Sequence, residues 1–163
     1  MARFIGAAVL IAVLVGGVLF GAGQAAVPEY EAISAQDFVD YVSRKPPGKK
    51  IVFLYASWCG PCKALMPKMV ALEAAHPNTI SVLSVDRNPR ALMRYVGGYE
   101  RFPFRNFVLK GKMDAAFTQT MRQLGVEFPR TVPHVALIEP NGHVLYQGML
   151  PYQTIKSFVQ YQY

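Results

Sequence analysis

Residues 51–63 constrain this chain more than any other stretch. An apolar run, Ile51-Val52-Phe53-Leu54-Tyr55, passes through Ala56-Ser57 into Trp58-Cys59-Gly60-Pro61-Cys62-Lys63 and then into a helical pattern. Continuous apolar residues with β-branched and aromatic members fit a strand buried on both faces. Across residues 63–76, Leu65, Met69 and Leu72 recur at helical spacing with Met66 and Val70 beside them. Pro77-Asn78 closes this helix, and Pro67 inside it removes one backbone donor. A doubly buried strand feeding a helix needs covering layers on both sides, so the chain is α/β.

The two cysteines are the only ones in 163 residues, so no other thiol can staple the fold and packing alone must hold it. Disulfide exchange needs an attacking thiolate and a second thiol close enough to resolve the mixed disulfide. A Cys-x-x-Cys at a helix N-terminus supplies both, because free N–H groups and the helix dipole favour an anion on the first cysteine. Cys59 is therefore the expected nucleophile and Cys62 the shielded resolver. Pro61 is tolerated in a first turn, and Gly60 lets a partner backbone approach. Zinc is the competing use of such a pair, but it wants four ligands. His76, His134 and His143 show no ligand spacing with the cysteines or with one another. No metal and no cofactor beyond the redox-active Cys59–Cys62 disulfide is expected.

Elsewhere the pattern reads as a short strand at residues 30–33, a helix opened by Ser34 and Asp37, and a core strand at residues 80–85. A hairpin follows around Pro140-Asn141-Gly142, and a last helix spans about residues 152–160. Between the third strand and the hairpin the chain reads as irregular, apart from a helix near residues 113–124. At the N-terminus, Met1-Ala2-Arg3 precedes an apolar stretch to about Ala22 and the small residues up to Ala26. That is a secretory signal or a membrane anchor over residues 1–26. Arg3 before it, and Glu29, Glu31, Asp37 and Asp40 after it, orient residues 27–163 away from the cytoplasm. Seventeen Lys and Arg against ten Asp and Glu give a net charge of +7, too scattered to imply nucleic acid.

Together these residues resemble the active-site signature of the thioredoxin superfamily. Pro67 matches the proline of the family's active-site helix, and Asp86-Arg87-Asn88-Pro89 resembles its Asp-x-Asn-Pro turn. Thr131-Val132-Pro133 matches the cis-proline loop, with Pro129 as a rival, and Gly148 corresponds to a glycine of the substrate groove. The resemblance implies a thioredoxin-like fold: a mixed central sheet flanked by helices, with residues 90–130 inserted between the third strand and the cis-proline loop. It also implies that Trp58, Gly60, Pro61, Val132, Pro133 and Gly148 bind an extended protein segment by added-strand pairing.

Two departures stand out. Phe53 occupies the position of the family's buried acid, and Val82 that of its lysine partner, so the proton of Cys62 goes to water or to Glu73 if it reaches. The insertion carries Tyr99, Phe102, Phe104 and Phe107 among Arg101, Arg105, Lys110 and Lys112, which suits a packed subdomain or a partner platform better than nucleic acid. His134 either borders the cysteines or is a solvated surface residue. The expected activity is a periplasmic or extracytoplasmic thiol–disulfide oxidoreductase acting on protein thiols, with a membrane electron donor or acceptor as a further partner. Gly60-Pro61 tilts it toward a reductase. The alternatives are an oxidant, a helper of a secretion or conjugation apparatus, a copper metallochaperone and a non-catalytic adaptor.

Overall fold

The strand over residues 51–55 is the middle of the molecule, as its composition requires: all five residues are fully buried. In this computed structural model, which describes residues 29–161, the strand begins one residue earlier as β2 (Lys50–Tyr55). The expected export segment lies outside the described residues. Before β2 come β1 (Glu31–Ile33) and α1 (Ala35–Ser43), whose N-cap Ser34 accepts from Asp37 N at 3.1 Å. After it come α2 (Gly60–Ala75), β3 (Ile80–Ser84), α3 (Pro89–Val96), β4 (Phe107–Leu109), α4 (Ala115–Met121) with a 3-10 turn over Arg122–Leu124, β5 (His134–Ile138), β6 (Val144–Gly148) and α5 (Tyr152–Gln160).

These strands make one six-stranded sheet in the order β1-β4-β3-β2-β5-β6. The first four strands run parallel, while β5 is antiparallel to β2 and β6 to β5. The crossovers leading to β2 and to β5 run one way across the sheet, and those leading to β3 and β4 run the other. Right-handed connections between the parallel strands therefore send α1 to one face and α2 and α3 to the opposite one, and α4 lies on the α1 face because it packs on α1. Helix α5 packs on α2. Among the described residues no helix is long and apolar enough to cross a membrane.

The middle of the chain is more regular than its sequence suggests. Phe107–Leu109 is not part of an appended subdomain but a buried strand, paired on one side with β1 and on the other with β3. Its shortness hid it: three residues cannot display a period. Phe107 is 1% exposed and meets Phe38 and Tyr41 edge-on, with ring centroids 6.0 and 4.8 Å away. Arg101, Arg105, Lys110 and Lys112 face water, while Phe104 is buried and Tyr99 and Phe102 pack against the core. Arg101 and Pro103 line a groove with residues of α2 from Pro67 onward and the turn after it, so that part of the insertion flanks the distal half of α2.

Candidate functional site

The parallel strands all end on one edge of the sheet, where β5 begins and β6 ends, and this edge carries the cysteines. Cys59 is the N-cap of α2: its backbone is extended, and its Sγ accepts from Cys62 N at 3.2 Å. Lys63 N donates to Cys59 O at 3.0 Å, closing the first helical turn. The two cysteines are disulfide-bonded, with Cα atoms 5.2 Å apart. Trp58 is 64% exposed, and Gly60 and Pro61 also face solvent, while Cys59 is nearly covered and Cys62 is fully buried. An entering partner therefore meets Trp58, Gly60 and Pro61 before sulfur, and of the two sulfurs it meets that of Cys59 first.

The loop leading to Cys59 is held from β3. Asp86, 4% exposed, accepts from Ser57 N at 2.8 Å and Ser57 Oγ at 2.6 Å, and from Ser84 Oγ at 2.7 Å. Neither serine stands out in the sequence. The available signal is Ser84 itself, a hydroxyl in a strand whose residues are all buried, which needs a partner. The two positions where the resemblance leads one to expect an acid and a lysine are apolar. Phe53 and Val82 face each other in the β2–β3 register, both buried, and the Phe53 ring lies 5.6 Å from that of Tyr55. Burial pushes the Tyr55 phenol up, and Asp86 pushes it further.

Glu73 does not reach the cysteines. It sits about 16 Å along the axis of α2 from Cys62 at the usual helical rise, and its carboxylate is already engaged by Asn78 N at 2.7 Å and Ile80 N at 2.8 Å. It staples the end of α2 to the start of β3. His134 is not a surface residue either. It is 2% exposed, pairs with Leu54 across the sheet and lies edge-on to Phe128, with ring centroids 5.5 Å apart. Burial pushes its imidazole below the ordinary range, opposed by the Gln147 side chain, and Nε2 has no hydrogen-bond partner among the described residues.

The remaining expected residues collect on the same edge. The Val132–Pro133 peptide is cis, directly before β5, and Pro133 is buried while Val132 is half-buried. Gly148 closes β6 opposite Val135, with φ of 123°, a conformation that disfavours any side chain. Among the described residues no group of three or more His, Cys, Asp or Glu could hold a metal ion.

The thioredoxin family model matches residues 29–128. The chain belongs to the thioredoxin family. Thioredoxin from Chlamydia trachomatis is 35% identical over 66 residues, 40% of this chain and 62% of that protein. The Chlamydia muridarum thioredoxin is 39% identical over 61 residues, 37% of this chain and 57% of the relative. The chain thus spans about three fifths of the length of the curated thioredoxins it matches. Among solved structures, a candidate thiol:disulfide interchange protein DsbE from Chlorobium tepidum is 26% identical. The match covers 72% of this chain and 82% of that one, with a TM-score of 0.51. The pneumococcal exposed lipoprotein thioredoxin from Streptococcus pneumoniae shares the fold at 16% identity and a TM-score of 0.54, over 73% of this chain and 88% of that one. The six-stranded sheet is thus a thioredoxin-like fold, and the match to the family model stops before the cis-proline and the hairpin.

Proposed function

We propose that this thioredoxin-family protein is an extracytoplasmic thiol–disulfide oxidoreductase that exchanges disulfides with protein substrates, working as a reductase. The observation that carries this reading is Cys59 at the N-cap of α2, bonded to the buried Cys62 and capped by the Cys62 N–H. In the reduced protein the same N–H and the dipole of α2 stabilise a Cys59 thiolate. That thiolate attacks one sulfur of a substrate disulfide, forming a mixed disulfide and releasing the other substrate sulfur as a thiolate that takes a proton. The Cys62 thiol then loses its proton and attacks Cys59 Sγ. The Cys59–Cys62 disulfide forms, the second substrate thiol leaves, and two electrons have passed to the substrate. A thiol donor restores the dithiol by the reverse steps.

With Phe53 and Val82 at the positions of the family's acid and its lysine partner, and Glu73 committed to Asn78 and Ile80, none of these three side chains takes the Cys62 proton. Trp58, Gly60, Pro61, Val132, Pro133 and Gly148 form the surface on which an extended substrate strand adds by backbone pairing. Extracytoplasmic placement is supported by the charge order around the apolar stretch of residues 1–26 and by the likeness to an exposed lipoprotein thioredoxin. The reducing direction is supported by the Gly60-Pro61 dipeptide.

The deciding experiment uses Cys62→Ser in the native compartment. Mixed disulfides between Cys59 and client proteins are expected to accumulate, with wild-type protein mainly in the dithiol form. Absence of any trapped partner, together with no turnover of model disulfides, sinks the reading; wild-type protein found wholly oxidised reverses its direction.

A further inference from the structure

The edge of the sheet that carries the cysteines also gathers a set of cations. Lys63 lies in the first turn of α2, and Arg87 and Arg90 follow β3. Lys110 and Lys112 follow β4, and Arg130 precedes the cis-proline loop. The strand registers fix this grouping, because β2, β3 and β4 are parallel and β5 starts where they end. Arg87 is tied closest: the neighbouring Asp86 is hydrogen-bonded to Ser57, one residue before Trp58. Lys110 N bonds Ile33 O at 2.7 Å, which holds the β4 exit against the end of β1.

All six cations are exposed, and none of their side chains has an ion pair, a hydrogen bond or a ring contact among the described residues. Some cations elsewhere are used internally: Arg105 pairs with Glu31, Arg122 with Glu127, and Lys45 Nζ donates to Ile80 O. The acids on the cysteine edge are also engaged. Asp86 is buried under two serines, Asp114 caps α4 by accepting from Phe117 N, and the Asp37 carboxylate, in the first turn of α1, accepts from the Ser34 hydroxyl. The Asp37 and Asp114 carboxylates each lie at the positive end of a helix, which offsets part of their charge. The six cations outnumber the three acids named on this edge, so it carries an excess of positive charge. It is bordered by two bare apolar side chains, Trp58 at 64% and Met149 at 71% exposure, the latter directly after Gly148.

We propose that this edge selects protein clients whose reactive disulfide is flanked by Asp or Glu. The inference names the substrate class of the exchange activity proposed above and rests on that reading. The cations act at a distance on encounter and orientation, as complementary fields do at other interfaces, while backbone pairing beside Pro133 aligns the disulfide. Selectivity of this origin weakens with salt, because the Debye length falls from about 30 Å at about 0.01 M ionic strength to about 3 Å at about 1 M.

The test compares two disulfide-bonded peptides identical except for Glu or Lys on either side of one cysteine. The expected ratio of kcat/KM, acidic over basic, is about tenfold or more at low ionic strength and approaches one at high ionic strength. The triple variant Arg87→Glu, Arg90→Glu, Lys112→Glu is expected to erase or invert that ratio. The single variant Arg130→Glu, which alters a different loop, is expected to lower it independently. A wild-type ratio near one at low salt, or a ratio unmoved by both variants, overturns the proposal. So does a result in which the variants lose binding to phosphatidylglycerol vesicles or to a single-stranded oligonucleotide but keep the wild-type peptide ratio. Hydroxyethyl disulfide, which is uncharged, separates the two readings. If wild-type protein does not reduce it and Cys62→Ser traps no partner, the exchange activity and this inference fall together; if wild-type protein reduces it while the peptide ratio stays near one, only this inference falls.

Discussion

Ser57 and Asp86 are bonded twice, backbone N–H to one carboxylate oxygen at 2.8 Å and hydroxyl to the other at 2.6 Å. The residue that positions the Trp58-Cys59 turn is thereby fixed to the end of β3, and Ser84 Oγ completes the shell at 2.7 Å. Removing the carboxylate leaves three buried donors without an acceptor. Asp86→Ala is expected to cost about 3 kcal/mol, in line with buried groups deprived of a charged partner, and Ser57→Ala about 1 kcal/mol. Urea unfolding reads both as a lower midpoint at unchanged slope. The clamp also predicts that Ser57→Ala shifts the pH at which Cys59 reacts with iodoacetamide. An unshifted profile would reduce Asp86 to a purely structural role.

Glu73 makes a prediction of a different kind. Burial raises its carboxyl above the ordinary 4.5, and this outweighs the opposing hydrogen bonds from Ile80 and Asn78 and the nearby Lys45. The folded state therefore holds this proton more tightly than the unfolded chain. The associated stability is fully present below 4.5 and is lost as pH rises through the folded value. Glu73→Gln removes that slope. The free-energy gap between wild type and Glu73→Gln is expected to shrink with rising pH across this window, measured by urea midpoints. A gap that widens instead would mean that the two backbone donors, not burial, dominate.

Much of the architecture was legible because it rests on burial periodicity and on punctuation by proline and glycine. The apolar run of β2, the Ser34 cap, the Asn141-Gly142 hairpin and the helix over Tyr152–Gln160 are local signals, and the folded chain keeps them. The cysteine turn was legible for the same reason, since a helix N-cap and its first turn are adjacent in sequence. What escaped depends on contacts between distant segments. β4 is strand only because β1 and β3 flank it, and the Asp86 shell brings together residues on either side of α2. Glu73 and His134 carry no sign of their burial in the sequence, and the bonds of Glu73 to Asn78 and Ile80, at the far end of α2, keep it from the Cys62 proton.

His134 tests the consequence of burying an imidazole beside the cis-proline. Its ring is pushed below the ordinary 6.5 by burial, so the unfolded chain takes up this proton first as pH falls. The stability gained by keeping the ring neutral is present above 6.5 and is lost as pH drops toward the folded value. His134→Leu, similar in bulk and unable to titrate, is expected to flatten this acid-side loss in urea midpoints. If Cys59 reactivity keeps its pH profile in the same variant, the ring serves packing against Phe128 alone; a displaced profile makes it a positioning residue for the thiolate.

Phe107 decides whether the insertion is ornament or core. Its ring is 1% exposed and seated edge-on against Phe38 and Tyr41, and the strand that carries it sits between β1 and β3. Truncating a buried phenylalanine removes its transfer free energy and leaves a cavity that the rings around it fill only partly, so Phe107→Ala is expected to cost about 3–5 kcal/mol. Because β4 belongs to the same sheet as the cysteine strand, that loss should appear in one cooperative transition that takes Trp58 fluorescence and far-UV circular dichroism together. An appended subdomain would instead melt first and leave the Trp58 signal unchanged. By the same argument, deleting residues 97–112 should abolish folding rather than retune substrate choice. Any search for client contacts within the insertion belongs at Lys110 and Lys112, beyond the end of the strand.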